Sequence, residues 1–147
     1  MSFSRRTALK AIGVLTAALG LRLTLAQGAA GSVVKVAKGS YRDLGAAEFK
    51  ARLEAPGNFL LINTHVPYQG EIAGTELFLP FDAVGQYKAL LPRDKGFEIL
   101  VYCRSGRMSA IASETMVRLG YTNVKNLQGG MIGWQKAGYP LKTLSGS

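Results

Sequence analysis

Apolar runs and stretches of helical spacing alternate along this chain. Four apolar runs predict β-strands at residues 59–62, 77–79, 97–102 and 123–127. The spacing of apolar positions predicts helices at residues 46–54, 83–91, 108–119 and 131–137. Runs that are apolar at consecutive positions are typical of strands buried on both faces. The pattern therefore predicts an α/β domain with a mostly parallel central sheet and helices on both faces.

The composition is that of one ordinary globular domain. Of the 147 residues, 48% are hydrophobic and 18% are charged, which leaves enough apolar chain to bury a core. The formal net charge is +9, but four of the 18 basic residues lie within the first 22 positions, so residues 27–147 carry +5. These basic residues form no block and do not alternate with aromatic residues, so nucleic-acid binding is not predicted. A modest positive field suits a small anionic substrate, or serves solubility alone.

The N-terminal segment has the layout of an export signal. Arg5, Arg6 and Lys10 precede an uncharged stretch at residues 11–21 that is short for a membrane span. The paired arginines resemble the twin-arginine signal, which routes folded proteins, although Ala8 stands where that pattern usually has Phe. The expected location is therefore the periplasm or the outer face of the cytoplasmic membrane.

The export signal sets the predicted domain organisation. Residues 1–26 form the signal, or an uncleaved membrane anchor, and an amphipathic N-terminal helix is the alternative. Residues 27–39 are predicted to be a linker with a short extended stretch at 33–37, because they are rich in Gly, Ala, Ser, Val and Lys. Residues 40–147 form the folded domain.

Cys103 is the only cysteine of the sequence, so it has no partner for an internal disulfide. It lies between the predicted strand at 97–102 and the predicted helix at 108–119. At such a position a sulfur faces unpaired backbone N–H groups and the positive end of a helix dipole, which favour the nucleophilic thiolate. Arg104 and Arg107 add positive charge. The segment therefore predicts a reactive sulfur in an anion-binding loop.

Three motifs, in order, resemble those of a single-domain rhodanese, a thiosulfate sulfurtransferase-like protein, over about residues 40–141. The first, at residues 61–65 and 70–75, is similar to the family's Leu-Ile-Asp-Val-Arg and Gly-His-Ile-Pro-Gly-Ala. The second, at residues 103–110, is similar to its active-site loop, and the third, at residues 127–134, to its closing Gly-Gly-x-x-x-Trp. Each motif is weak alone, whereas the three together are specific.

The chain departs from the family pattern at several positions. Asn63 and His65 stand where the family has Asp and Arg, and Glu71 stands where it has His. Many members carry an Arg five residues after the cysteine, where this chain has Met108, with Arg107 one place earlier. Substrate contacts outside the cysteine loop are therefore left open, and His65 is expected to be a structural or rim residue.

The resemblance implies a double displacement at Cys103 without a cofactor. The thiolate takes the outer sulfur of an anionic donor such as thiosulfate and becomes a persulfide. Cyanide, a thiol or a partner protein then accepts that sulfur. Backbone N–H groups of the loop would surround the sulfur, and its arginines would hold the anionic part of the donor. The substrate-binding residues implied are Arg104, Ser105, Gly106, Arg107, Met108 and Ser109.

Other functions compete with this interpretation. Cysteine-dependent phosphatases and arsenate reductases need an Arg six residues after the cysteine, where this chain has Ser109, and no His precedes Cys103. A persulfide carrier that serves a partner protein without turnover remains open. A metal site is not predicted, since the chain has one cysteine and one histidine.

Replacing both Arg5 and Arg6 with lysine keeps the charge of the signal and removes its guanidinium pair. We expect the double variant to stay in the cytoplasm as precursor, because a specific receptor reads the pair. Cell fractionation followed by immunoblotting measures this. Export of the variant at the wild-type level would instead indicate the general secretory route.

Overall fold

A computed structural model describes residues 31–144 as a six-stranded mixed sheet with three helices. The strands are β1 (Ser32–Val36), β2 (Gly39–Leu44), β3 (Phe59–Asn63), β4 (Leu77–Phe78), β5 (Glu98–Tyr102) and β6 (Val124–Leu127). The helices are α1 (Ala46–Glu54), α2 (Arg107–Arg118) and α3 (Gly130–Lys136). None of these helices has the length and hydropathy needed to span a membrane. The predicted export signal lies outside the described residues.

The strand order is β1-β2-β6-β5-β3-β4, and every neighbouring pair except β1 and β2 is parallel. The prediction of a mostly parallel sheet is therefore confirmed. Ile99, Leu100 and Val101 of the central strand β5 are all fully buried, because successive side chains enter opposite cores. Leu100 packs in the core that contains residues of α1 and α3, whereas Val101 packs in the core that contains residues of α2.

The segment predicted to be a linker contributes to the sheet. Strand β1 (Ser32–Val36) overlaps the short extended stretch predicted at 33–37. It pairs antiparallel with β2, and neither β2 nor this pairing was predicted. Only Tyr41 and Leu44 of β2 are buried, and they enter opposite cores. A strand this polar is specified by its partners in the sheet more than by its own sequence, and β2 pairs with both β1 and β6.

The helix predicted at residues 83–91 is wrong. The structure forms only a 3₁₀ turn at Lys88–Leu90, with turns before it. Val84 and Leu91 are buried, but Tyr87, which a helix would place on their face, is exposed. A nine-residue segment containing Gly85 has little helical stability of its own, so the packing of its buried side chains decides its path.

Parallel pairing gathers the sequence motifs at one edge of the sheet. Asn63, the last residue of β3, is the register partner of Tyr102, the last residue of β5. The next residue, Thr64, donates hydrogen bonds to the Tyr102 carbonyl oxygen from its backbone N–H at 2.8 Å and its hydroxyl at 3.0 Å. Cys103 therefore leaves the sheet beside the first motif, at the carboxyl edge where open α/β sheets bind ligands.

Candidate active site

The Cys103 sulfur lies between the carboxyl end of β5 and the first turn of α2. The residue is 1% exposed. The Gly106 backbone N–H donates to Sγ at 3.0 Å, and the Ser109 hydroxyl lies 3.2 Å from Sγ. A hydroxyl has one proton, so Ser109 donates either to Sγ or to the Gly106 carbonyl oxygen, which is also 3.2 Å away. Two donors directed at one sulfur stabilise negative charge on it.

Gly106 gives the loop its tight shape. It precedes α2 with a φ of 98°, in the left-handed region that a residue with a side chain rarely adopts. A Cβ there would also lie 3.1 Å from the Gly129 nitrogen. The resulting turn brings the Gly106 N–H onto the sulfur.

The loop also presents unpaired donors. Within residues 31–144, the backbone N–H groups of Ser105, Arg107 and Met108 have no hydrogen-bond acceptor. The last two belong to the first turn of α2, where such groups lack intrahelical partners and carry the positive end of the dipole. Ser105 is exposed and Met108 is half-buried, so these donors lie near the surface beside the buried sulfur.

The two arginines of the loop differ in their contacts. Both are exposed. The Arg104 guanidinium donates to Gln69 Oε1, whereas Arg107 forms no hydrogen bond or ion pair with any residue in 31–144. Arg107 is therefore free to bind an anion at the helix start, while Arg104 is attached to the loop that follows β3.

The third motif, at residues 127–134, binds the cysteine loop through backbone hydrogen bonds. The Met131 N–H donates to the Cys103 carbonyl oxygen at 2.8 Å, and the Ile132 N–H donates to that of Arg104 at 3.0 Å. This approach requires Gly130, because a Cβ there would lie 2.4 Å from the Arg104 carbonyl oxygen. Trp134 anchors α3 in the core, where its Nε1 donates to the Pro140 carbonyl oxygen at 2.9 Å.

Tyr102 ties the loop at residues 70–75 to the strand that precedes the cysteine. Its hydroxyl accepts a hydrogen bond from the Ile72 N–H at 2.9 Å and lies 2.6 Å from the Thr75 hydroxyl. Burial raises the pKa of Tyr102 to about 12. The phenol is therefore neutral at physiological pH and acts as a structural hydrogen-bonding group.

The residues that depart from the family pattern lie beside the site and make structural contacts. The Asn63 amide donates to the Gly70 carbonyl oxygen at 3.0 Å and accepts from the His65 N–H at 2.9 Å, a pair of roles that an ionised Asp cannot fill. The His65 ring lies 3.1 Å from Gln69 Oε1 at the rim of the site. Glu71 pairs through its backbone with Lys142, in both directions at 2.8 Å.

Comparison with known proteins agrees with this geometry. The rhodanese-like domain family matches residues 46–137. The chain belongs to the rhodanese-like domain family.

Its relatives include sulfurtransferases. A sulfurtransferase from Allochromatium vinosum is 33% identical over 93 residues, which cover 61% of this chain and 84% of that protein. The thiosulfate sulfurtransferase PspE of Escherichia coli is 36% identical over 70 residues, which cover 46% of this chain and 67% of that protein. The crystal structure of a rhodanese-related protein from Thermoplasma volcanium has 28% identity and a TM-score of 0.58, over 69% of this chain and 97% of that one.

Two of the predicted site residues contact the Cys103 sulfur in the rhodanese-like fold. Gly106 and Ser109 contact Sγ directly, and the other predicted residues line the same loop and the first turn of α2. Sequence reasoning missed Gln69, which had no signal because its contact with Arg104 spans 35 positions. It also did not predict the contact of Gly130 with the cysteine loop, although the paired glycines of the third motif were the available signal.

We expect Gly130→Ala to destabilise the rhodanese-like domain by about 2 kcal/mol or more, because the added Cβ would lie within 2.5 Å of the Cys103 and Arg104 carbonyl oxygens and of the Arg104 carbonyl carbon. Gly138→Ala is the matched control. Gly138 also has a positive φ, of 87°, but its Cβ would meet nothing within 4 Å, so only about 1 kcal/mol is expected. Urea unfolding measures both costs. Equal losses in the two variants would show that backbone strain alone matters at Gly130.

Proposed function

We propose that this protein is a sulfurtransferase that passes sulfane sulfur from an anionic donor such as thiosulfate, through a persulfide on Cys103, to a thiophilic acceptor. One observation carries the proposal: the single buried sulfur accepts a hydrogen bond from the Gly106 N–H and lies beside the Ser109 hydroxyl, at the start of α2, with Arg104 and Arg107 in the same loop and first turn. The sulfurtransferase relatives support the same chemistry.

In the first step, the Cys103 thiolate attacks the outer sulfur of the donor. A bond forms between Sγ and that sulfur, the sulfur–sulfur bond of thiosulfate breaks, and sulfite leaves with the electron pair. The terminal sulfur of the new persulfide is then surrounded by N–H groups that have no acceptor among the described residues, on Ser105, Arg107 and Met108. Such a ring of backbone donors stabilises an anionic sulfur without any proton transfer.

The arginines are proposed to bind the sulfonate part of the donor. Arg107 is exposed at the first position of α2 without a partner in the described chain, so its guanidinium is available to the anion. Arg104 adds a second charge, and Gln69 restrains its side chain. Both charges stabilise the negative charge that collects on the leaving sulfite.

In the second step, the acceptor attacks the terminal sulfur of the persulfide. With cyanide, a carbon–sulfur bond forms, thiocyanate leaves, and the electron pair of the broken bond returns to Sγ. The resting thiolate is then again bound by Gly106 and Ser109.

A persulfide carrier without its own turnover is the second candidate. It is favoured by the departures of Asn63, His65 and Glu71 from the family's Asp, Arg and His, and by the Asn63 amide, which binds the chain's own backbone. A carrier would complete the first step and give up its sulfur only to a partner protein. Steady-state turnover with thiosulfate and cyanide separates the two functions.

The place of action is a separate proposal. The paired arginines and the short apolar stretch at residues 11–21 support delivery of the folded domain across the cytoplasmic membrane. A mostly parallel sheet supports a folded passenger, since its pairings are long-range and form slowly.

Treatment with thiosulfate should add the mass of one sulfur atom to the protein, because Cys103 is the only thiol in the sequence. Cyanide should remove the added mass, and Cys103→Ser should show no addition. Intact-protein mass spectrometry measures each state. An unchanged wild-type mass with thiosulfate and with other sulfane donors would refute the sulfurtransferase function.

Arg107→Ala should lower kcat/KM for thiosulfate at least tenfold, or about 1.4 kcal/mol of transition-state stabilisation, while the urea midpoint changes little. The reason is that Arg107 has no partner among residues 31–144 to lose. Arg93→Ala is the control, since Arg93 is also exposed but lies outside the loop. Loss of stability with unchanged kinetics would instead identify Arg107 as a structural residue.

A further inference from the structure

An apolar groove of about 330 Å³ lies beside the cysteine loop, at the carboxyl ends of β3 and β4. We use the term apolar groove for the surface formed by Val66, Tyr68, Phe78, Pro80 and Leu144. Large apolar side chains are unusually exposed there, with Phe78 44% and Leu144 71% accessible. Neighbouring exposed apolar side chains mark a binding surface more often than isolated ones do.

The groove is formed by three segments that contact one another. The rings of Tyr68 and Phe78 pack with centroids 5.3 Å apart. The Tyr68 hydroxyl accepts a hydrogen bond from the Leu144 N–H at 3.1 Å. Leu79 and Asn63 line the groove and are almost fully buried. The shape of the groove therefore comes from contacts between the loop after β3, strand β4 and the C-terminal segment.

The groove lies one strand away from the proposed active site. Asn63, which lines the groove, is the register partner of Tyr102, and Cys103 is the next residue. Adjacent strands lie about 4.8 Å apart, so the groove begins roughly one strand spacing from the cysteine loop. His65 also lines the groove, and its ring and the Arg104 guanidinium share one acceptor, Gln69 Oε1.

The chemistry of the groove does not suit an anionic donor. Asn63, His65 and Leu79 also line the groove, which gives eight lining residues. None of the eight is Asp, Glu, Lys or Arg, and most of the lining surface is apolar. Thiosulfate and cyanide are small ions with little apolar surface to bury in the groove. The arginines that would bind an anion lie on the cysteine loop instead. An apolar organic group gains free energy by leaving water there.

We infer that the apolar groove binds the apolar substituent of the sulfur acceptor, and that this acceptor is an organic thiol. The inference rests on the proposed sulfurtransferase function. The thiol loses its proton to water, and its sulfur attacks the terminal sulfur of the Cys103 persulfide. A new sulfur–sulfur bond forms, the bond to Sγ breaks with its electron pair returning to Sγ, and the organic persulfide leaves.

Discharge of the loaded enzyme tests this inference. The full-length protein is loaded with thiosulfate, freed of excess donor, and mixed with benzyl mercaptan, 2-mercaptoethanol or cyanide. The two thiols have similar acidity but differ in apolar surface. Each rate is divided by the rate of the same acceptor with glutathione persulfide, which removes intrinsic reactivity. We expect benzyl mercaptan to be preferred about tenfold, which corresponds to roughly 60 Å² of apolar surface leaving water.

Two variants test whether the preference for benzyl mercaptan over 2-mercaptoethanol arises in the apolar groove. Phe78→Ala should lower the benzyl mercaptan preference by about fivefold, since it removes one wall of the groove. Tyr87→Ala is the matched control, because Tyr87 is equally exposed at 45% but does not line the groove, and it should keep the full preference. Benzyl alcohol, which has no thiol, should inhibit discharge to benzyl mercaptan in the wild-type protein, so the test does not depend on the folding of a variant.

The outcomes separate this inference from the proposed function. A protein that takes up no sulfur refutes the proposed function itself. A protein that is loaded and is discharged by cyanide, but treats the two thiols alike, keeps that function and overturns the groove inference. That second result is also the one expected if the groove is occupied by another segment of this chain, by a second copy or by a partner protein.

Discussion

Strand β5 lies between β3 and β6 and between two helical layers, and its carboxyl end carries Cys103. Leu100 and Val101 enter opposite cores, and each contributes about 2 kcal/mol on full burial. A shift of the strand by one residue would exchange the two cores, so its register is strongly specified. The position of the sulfur is therefore set by the most buried part of the molecule.

The loop after Cys103 needs a second support, because a turn around a glycine has many conformations in isolation. Helix α3 provides it through two backbone hydrogen bonds to the Cys103 and Arg104 carbonyl oxygens. With these two carbonyl oxygens bound to α3, the loop keeps the N–H groups of Ser105, Arg107 and Met108 without acceptors among the described residues. The close approach at Gly130 and the anchoring of Trp134 hold the loop in this conformation, in which the Gly106 N–H donates to Sγ.

The site divides into a cationic side and an apolar side. Arg104 and Arg107 lie on the cysteine loop or at the start of α2, whereas the apolar groove is formed by the loop after β3, the end of β4 and the C-terminal segment. Gln69 stands between them and accepts from Arg104 while it contacts His65. In the double displacement that we propose, an anionic donor and an organic acceptor react at one sulfur in turn, and this division would give each of them a separate surface.

Elements with a local signal are specified by the amino-acid pattern alone. The continuous apolar run before Cys103 and the glycine after it define a strand, a tight turn and a helix start, and α2 begins one residue before its predicted position. Strand β2 depends instead on the folded molecule, because its polar sequence becomes a strand through pairing with β1 and β6. The path of residues 83–91 was likewise decided by packing, since a helix of nine residues has too little stability of its own. The contacts of Gln69 and Asn63 also had no local signal, because they depend on a backbone path that exists only in the folded molecule. The paired glycines signalled a special backbone position at Gly130, but not that its partner is the cysteine loop. Hydrophobic periodicity specifies which residues are buried, whereas the partners of a polar group are specified only when distant segments have packed together.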